Sequence, residues 1–174
     1  PMKTASRLAV RLLGGFVLER DRVSCKIAYE KGRGLLAYLA LEPGRTHQRT
    51  ALAAMFWPDL THDAALSNLR LVLHNLRQTL ASPGADSPAL HVDRENVRLD
   101  PVPALSIDTA DFFIADPKCP SPPAVAVCTP CLGHMELVAG LYRGEFMAGF
   151  SLPDCPDFEA WLQVRREATH MRAL

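Results

Sequence analysis

One run of leucines limits most strongly how this chain can fold. Five leucines recur at spacings of 3, 4, 3 and 4: Leu66, Leu69, Leu73, Leu76 and Leu80. That spacing places them on one face of an α-helix. Thr61 is a residue type that favours the helix N-cap, and Asp63 suits the positive end of the first turn. The pattern therefore predicts an amphipathic helix over residues 61–80, with its leucine face buried.

Shorter patterns before this helix predict a small sheet followed by two further helices. Residues 7–13, 16–19 and 23–27 are rich in strand formers and surround a Gly-Gly turn, which favours an antiparallel sheet. Apolar residues recur at helical spacing over residues 31–41 and 49–56, and a Pro-Gly pair and a single proline end these two runs. The first half of the chain is therefore predicted to be α+β.

After the leucine helix, two alternating runs at residues 90–93 and 97–100 predict a β-hairpin. An N-terminal antiparallel sheet, three helices and a C-terminal hairpin follow one another in the order of a winged helix. Pro101 and Pro103 then mark a boundary. Beyond it, helical patterns at residues 107–114, 132–142 and 156–174 predict an all-α segment.

The distribution of charge supports the same boundary. The whole chain has 19 Lys and Arg against 19 Asp and Glu, a formal net charge of zero. Residues 1–100 hold 14 basic and 10 acidic residues, a net +4, whereas residues 101–174 hold 5 and 9, a net −4. We therefore predict two domains, 1–100 and 101–174, of which the first is the one suited to a polyanionic partner.

Sequence motifs in both halves resemble one protein family, and they occur in order along most of the chain. They are residues 32–41, Pro43-Gly44-Arg45, Ala51-Leu52, Trp57-Pro58-Asp59, Asn68-Leu69-Arg70, Leu73-His74, Leu76-Arg77 and residues 97–100, then residues 141–146, Gly149-Phe150, Leu152-Pro153-Asp154 and residues 158–162. This set resembles the SARP-type bacterial transcriptional activators. The resemblance implies an OmpR-type winged helix, followed by the start of a TPR-like bacterial transcriptional activation domain that continues in a longer protein.

The residues that we expect to bind DNA lie on three predicted elements. With the leucines buried, the opposite face of the third helix presents polar groups for base edges and guanidiniums for phosphates. The hairpin wing at 90–99 and the start of the second helix add further donors. The candidates are Arg49, Thr50, Ser67, Asn68, Arg70, Leu71, His74, Asn75, Arg77, Gln78, Arg94, Asn96 and Arg98.

An amphipathic helix with an ordinary solvated face would show the same pattern, so a second interpretation stays open. Relatives often carry basic residues where this chain has Asn75 and Gln78, and Glu95 places a carboxylate at the tip of the predicted wing. These features are also compatible with a winged-helix interaction module that does not bind DNA.

A cluster of cysteines raises a third interpretation. Cys128 and Cys131 form a Cys-x-x-Cys motif, with Cys119 before it and His134 after it. Four such ligands suit a tetrahedral zinc ion. The same thiols would also serve as a disulfide or redox-responsive pair, or have no special role. The alternative function is therefore a metal- or redox-responsive sensing module.

Other function classes lack sequence support. No Walker-type or Gly-x-Gly-x-x-Gly loop, Gly-x-Ser-x-Gly or His-Glu-x-x-His motif occurs, so we do not expect an enzyme. No apolar run long enough to span a membrane and no secretory signal are recognisable, and we expect a cytoplasmic protein. The expected partners are double-stranded DNA and RNA polymerase subunits, or further domains of a longer chain. Tandem binding on direct repeats, or a dimer, is the assembly that the resemblance implies.

Overall fold

The chain folds into two small sheets and a group of helices. The computed structural model describes residues 6–81, 88–114, 133, 136–137 and 139–173. The first sheet orders its strands as β3 (Val23–Ser24), β2 (Val17–Arg20), β1 (Leu8–Arg11) and β7 (Leu105–Ile107). The β1–β2 and β2–β3 pairs are antiparallel, as the sequence predicts. The pairing of β7 with β1 is parallel and was not predicted, because Ile107 was expected to begin a helix.

The next elements follow the predicted order except for a short strand between the first two helices, which was not predicted. They are α1 (Glu30–Ala40), β4 (Thr46–Gln48), α2 (Arg49–Phe56), α3 (His62–Leu80), β5 (Leu90–Val92) and β6 (Asn96–Leu99). The hairpin β5–β6 forms as predicted, and β4 adds to it, giving a second sheet of order β4-β6-β5. The mixed α+β class predicted from the sequence is confirmed.

The leucine face of α3 is buried, as its spacing predicts. Four of the five leucines are at most 3% exposed, and Leu66, nearest the start of the helix, is half-buried. Thr61 occupies the N-cap position with extended backbone, but its side chain makes no capping hydrogen bond. Its backbone carbonyl accepts the Ala65 N–H at 2.9 Å, so the helix begins here without help from the hydroxyl group.

Beyond the proline boundary the structure describes the helices α4 (Asp108–Ile114) and α5 (Pro156–Ala173). The described residues among 133–141 are also helical. Phe146, Phe158 and Leu162 are fully buried and belong to the same hydrophobic core as the leucines of α3. The described residues on the two sides of Pro101 therefore share one core, and the division into domains 1–100 and 101–174 stays a prediction.

A polar contact ties the end of α2 to both α1 and the segment before α5. Lys31 Nζ donates to the Phe56 carbonyl at 2.6 Å and lies 2.6 Å from an Asp154 carboxylate oxygen. It also lies 5.3 Å from the centroid of the Trp57 ring. The Cys155 thiol donates to the same Phe56 carbonyl at 3.2 Å. These bonds satisfy a carbonyl at the C-terminal end of α2 that the helix itself leaves unpaired.

Candidate nucleic-acid interface

An open cleft of about 490 Å³ separates the start of α2, the first half of α3 and the β5–β6 turn. The side chains and backbone that line it are Gln48, Arg49, Thr50, Leu66, Arg70, Arg94, Glu95 and Asn96. Five of them were candidates from the sequence: Arg49, Thr50, Arg70, Arg94 and Asn96. The fold therefore brings residues from three separate sequence regions to one place. Gln48 and Leu66 were not predicted to line the cleft. The strand β4 and the placement of the hairpin beside α3 both depend on contacts between distant residues, which leave no local pattern in the sequence.

Apart from Arg98 on β6, the remaining candidates lie along α3, outside the cleft. Ser67, Leu71, His74, Arg77 and Gln78 are exposed, as is Arg70 in the cleft. Asn68 and Asn75 are half-buried at one margin of that face. Exposed residues separated by three, four or seven positions share one side of a helix. Leu71 is the apolar residue on this side, with 49% of its surface exposed. The face continues into the cleft through Arg70.

The N-terminal end of α2 forms one wall of the cleft, and its first N–H group, that of Arg49, already donates to the Glu95 carbonyl. The N–H groups of the next residues in the first turn have no partner within the helix. Gln48 occupies the N-cap position without a side-chain hydrogen bond to the helix, and the first turn of α2 contains no acidic residue. A helix start with unpaired N–H groups and the positive end of the helix dipole favours an anion. Thr50 is exposed in that first turn.

Arg49 makes contacts of a different kind. Its Nη1 donates to the Asp93 carbonyl at 3.1 Å and to the Arg94 carbonyl at 3.4 Å. Its backbone N–H donates to the Glu95 carbonyl at 2.8 Å. The Nε atom is buried and has no partner among the described residues. Arg49 therefore joins the start of α2 to three consecutive residues of the hairpin turn.

The hairpin turn has an internal order of its own. One carboxylate oxygen of Asp93 accepts the N–H groups of Glu95 at 2.8 Å and Asn96 at 2.7 Å. These two bonds stabilise the ionised carboxylate and hold the pKa of Asp93 below its ordinary value. Arg94 and Glu95 are exposed at the tip of this turn.

Arg98 lies on a different side of the hairpin and is already paired. Its Nε and Nη2 donate to the two carboxylate oxygens of Asp100 at 2.5 and 3.0 Å. This bidentate pair raises the pKa of Arg98. His91 Nε2 lies 3.1 Å from the same carboxylate. Arg98 lines a smaller depression of about 160 Å³ together with Thr46 and His91, and it does not line the cleft.

The arginines expected to meet phosphate thus fall into two groups. Arg70, Arg77 and Arg94 have no acidic partner within 4 Å among the described residues. Arg98 has its charge balanced by a carboxylate, and the guanidinium of Arg49 donates to backbone carbonyls. Among these five arginines, the positive charge available to an outside anion therefore lies on the exposed face of α3 and on the tip of the hairpin.

The predicted metal ligands Cys119, Cys128, Cys131 and His134 lie outside the described residues. Within the described part of the chain, no three His, Cys, Asp or Glu side chains come together as a metal site. Among the helices that the structure describes, none has the length and apolar character needed to cross a membrane.

Comparison with known proteins shows a similarity of fold. No protein-family model matches the sequence. No curated protein matches it either. A solved structure of Mycobacterium tuberculosis EmbR in complex with a low-affinity phosphopeptide is similar, with a TM-score of 0.69 and 20% sequence identity. The similarity covers 96% of this chain and 44% of the EmbR chain, so the present chain spans less than half of that protein. This chain and that part of EmbR share a fold.

Proposed function

We propose that the chain is a sequence-specific DNA-binding regulator that activates bacterial promoters. In this proposal α3 is the recognition helix in the major groove, and the β5–β6 hairpin is the wing. One observation carries it: the exposed polar face of α3 continues into a cleft whose rim holds Arg70 and Arg94 without acidic partners. An anionic, regularly spaced ligand fits such an arrangement of free guanidiniums.

The division of labour follows from the types of side chain. Arg70, Arg77 and Arg94 contact phosphates, which fixes the position of the protein on the duplex. Ser67, His74 and Gln78 offer hydrogen-bond donors and acceptors to base edges in the major groove. Other candidates act at the margins: Leu71 against a thymine methyl group, Asn68 and Asn75 at one edge of the face, Thr50 and the free N–H groups of α2 on a phosphate, and Asn96 beside the wing.

The second half of the chain serves protein partners in this proposal. Its net charge of −4 disfavours contact with DNA, and its last helix, α5, packs against α2 through the shared core. The resemblance to SARP-type activators and the fold shared with part of EmbR support an OmpR-type winged helix followed by a TPR-like segment. Such a segment offers surfaces to RNA polymerase subunits or to further domains, and tandem binding on direct repeats adds cooperative affinity.

The test is a selection of binding sites from random double-stranded DNA with the 174-residue chain, repeated at two salt concentrations. We expect one enriched motif, and we expect Gln78→Ala to relax the preference at one base position by about 1–3 kcal/mol. Gln163→Ala is the matched control, because Gln163 is also exposed but lies on α5. Failure to enrich any motif would refute the proposal and favour an interaction module. Loss of the motif on zinc chelation alone would favour the sensing module.

A further inference from the structure

The hairpin turn is held against α2 by one residue, Arg49, through its guanidinium and its backbone N–H group. Paired residues of β4 and β6 end at Gln48 and Asn96, so strand pairing does not reach the tip of the hairpin. Arg49 extends the contact beyond that last pair, through its N–H bond to Glu95 and its guanidinium bonds to the carbonyls of Asp93 and Arg94. These residues are 44 and 45 positions from Arg49 in the sequence.

The internal bonds of the turn cannot replace this link. The Asp93 carboxylate binds N–H groups within the turn, so it fixes the local shape and leaves the angle between the turn and α2 free. Arg94 and Glu95 are exposed, and no hydrogen bond of either side chain to α2 or α3 is present among the described residues. The orientation of the tip relative to α2 therefore depends on Arg49.

The guanidinium of Arg49 is poorly placed to receive a phosphate. The residue is half-buried, its Nε has no access to solvent, and its Nη1 is shared between two carbonyl groups. A phosphate that took over these donors would release both carbonyls and leave only the Arg49 N–H bond to the Glu95 carbonyl between the turn and α2. Arg94, by contrast, is exposed at the tip.

We propose that Arg49 is a positioning residue, which holds the hairpin turn so that Arg94 faces Arg70 across the cleft, and which does not itself neutralise a phosphate. The inference rests on the proposed DNA-binding function, and it adds an assignment of role within that site. Two arginines in a fixed mutual position select phosphates at a fixed separation, whereas a mobile tip would lose that selection.

The test compares Arg49→Gln, Arg49→Lys and Arg94→Gln in the full chain. The first measurement needs no DNA: the backbone order parameters of residues 93–96 by NMR relaxation. We expect Arg49→Gln to lower them from values near 0.85 toward about 0.6, and Arg49→Lys to restore part of the loss through one ammonium–carbonyl bond. Arg94→Gln should leave them unchanged, because no bond of its side chain holds the turn.

The second measurement is the affinity for the selected DNA site as a function of salt. Arg94→Gln should reduce the slope of log K against log salt by about 0.9, the change for one lost phosphate contact. Arg49→Gln should reduce affinity by roughly tenfold with a much smaller change in that slope. An equal change in slope for both variants, or unchanged order parameters in Arg49→Gln, would overturn the assignment. If the wild-type chain binds no DNA, the proposed function fails, and the order parameters alone decide whether Arg49 holds the turn.

Discussion

Replacing Gly34 by alanine tests whether the two halves of the chain are packed as the structure has them. Gly34 lies in α1 and faces side chains from the second half of the chain. A Cβ atom at this position would lie 3.0 Å from Leu152 Cδ1, 3.1 Å from Phe158 Cζ and 3.2 Å from Phe56 Cε1. Three contacts this short require the neighbouring side chains to move.

The expected magnitude is the balance of two opposing effects. Alanine is favoured over glycine inside a helix by up to about 1 kcal/mol. An added carbon in a filled core costs about 1–3 kcal/mol. Gly34→Ala should therefore lower the free energy of unfolding by up to about 2 kcal/mol. Gly140→Ala is the matched control: Gly140 is also helical, but none of the residues that the structure describes has an atom within 4 Å of its Cβ position. That variant should gain up to about 1 kcal/mol.

Urea denaturation followed by tryptophan fluorescence measures both variants. Trp57 and Trp161 are the two tryptophans of the chain, and both pack against the shared core. Equal m-values among the three proteins would show that only stability has changed. If Gly34→Ala is as stabilising as Gly140→Ala, then the packing of α1 against Phe158 and Leu152 is refuted.

Three further predictions concern charge. In mobility-shift titrations, Arg70→Gln should reduce the slope of log affinity for DNA against log salt by about 0.9. Arg98→Gln should change this slope less, since a carboxylate already balances that guanidinium. Equal changes of slope in the two variants would contradict this distinction. Burial lowers the pKa of His47, despite the opposing influence of a nearby glutamate. As the pH falls, His47 therefore takes up a proton in the unfolded chain before it does so in the folded chain. The free energy of unfolding should fall below about pH 6.5, by at most about 1.4 kcal/mol per pH unit. An identical pH profile in His47→Asn would rule out this cause. Lys31→Met should lower the free energy of unfolding in urea by about 1–2 kcal/mol, because it removes bonds at the end of α2. Arg33→Met, which removes an exposed ion pair, should lower it by about 0.5 kcal/mol or less. Similar losses in the two variants would count against the role given to Lys31.

The helices of the first half were predictable because each has a complete local signal. Helix α2 has the predicted bounds, and α3 begins one residue after its predicted N-cap, since apolar periodicity and flanking prolines determine both. Strands β4 and β7 were not predicted. Each has three residues, and its partner lies about fifty or a hundred residues away, so no local pattern reports the pairing.

Residue types at the candidate site were easier to predict than their electrostatic partners. The exposed face of α3 follows directly from the 3.6-residue period. The Arg98–Asp100 pair also had a signal, because residues two apart on a strand share one side. The contacts of Arg49 and Lys31 had none: both bind backbone carbonyls, whose positions depend on the tertiary fold. The sequence therefore shows which basic side chains the site contains, and only the fold shows which of them already have a hydrogen-bond or ion-pair partner.

The parallel pairing of β1 with β7 has a consequence for how the chain folds during synthesis. Strand β1 can form its hairpin with β2 as soon as both have emerged, but its other edge stays open until β7 is made. The backbone N–H groups of Leu12 and Leu13 donate to the Asp108 carboxylate, and these hydrogen bonds cannot form until Asp108, 96 and 95 positions later in the sequence, has been synthesised. An open strand edge is a template for pairing with other chains. Closing so long a loop also slows folding. The nascent chain is thus most exposed to misassembly while ribosomes translate α3 and the residues up to β7, before the strand that covers the open edge of β1 exists.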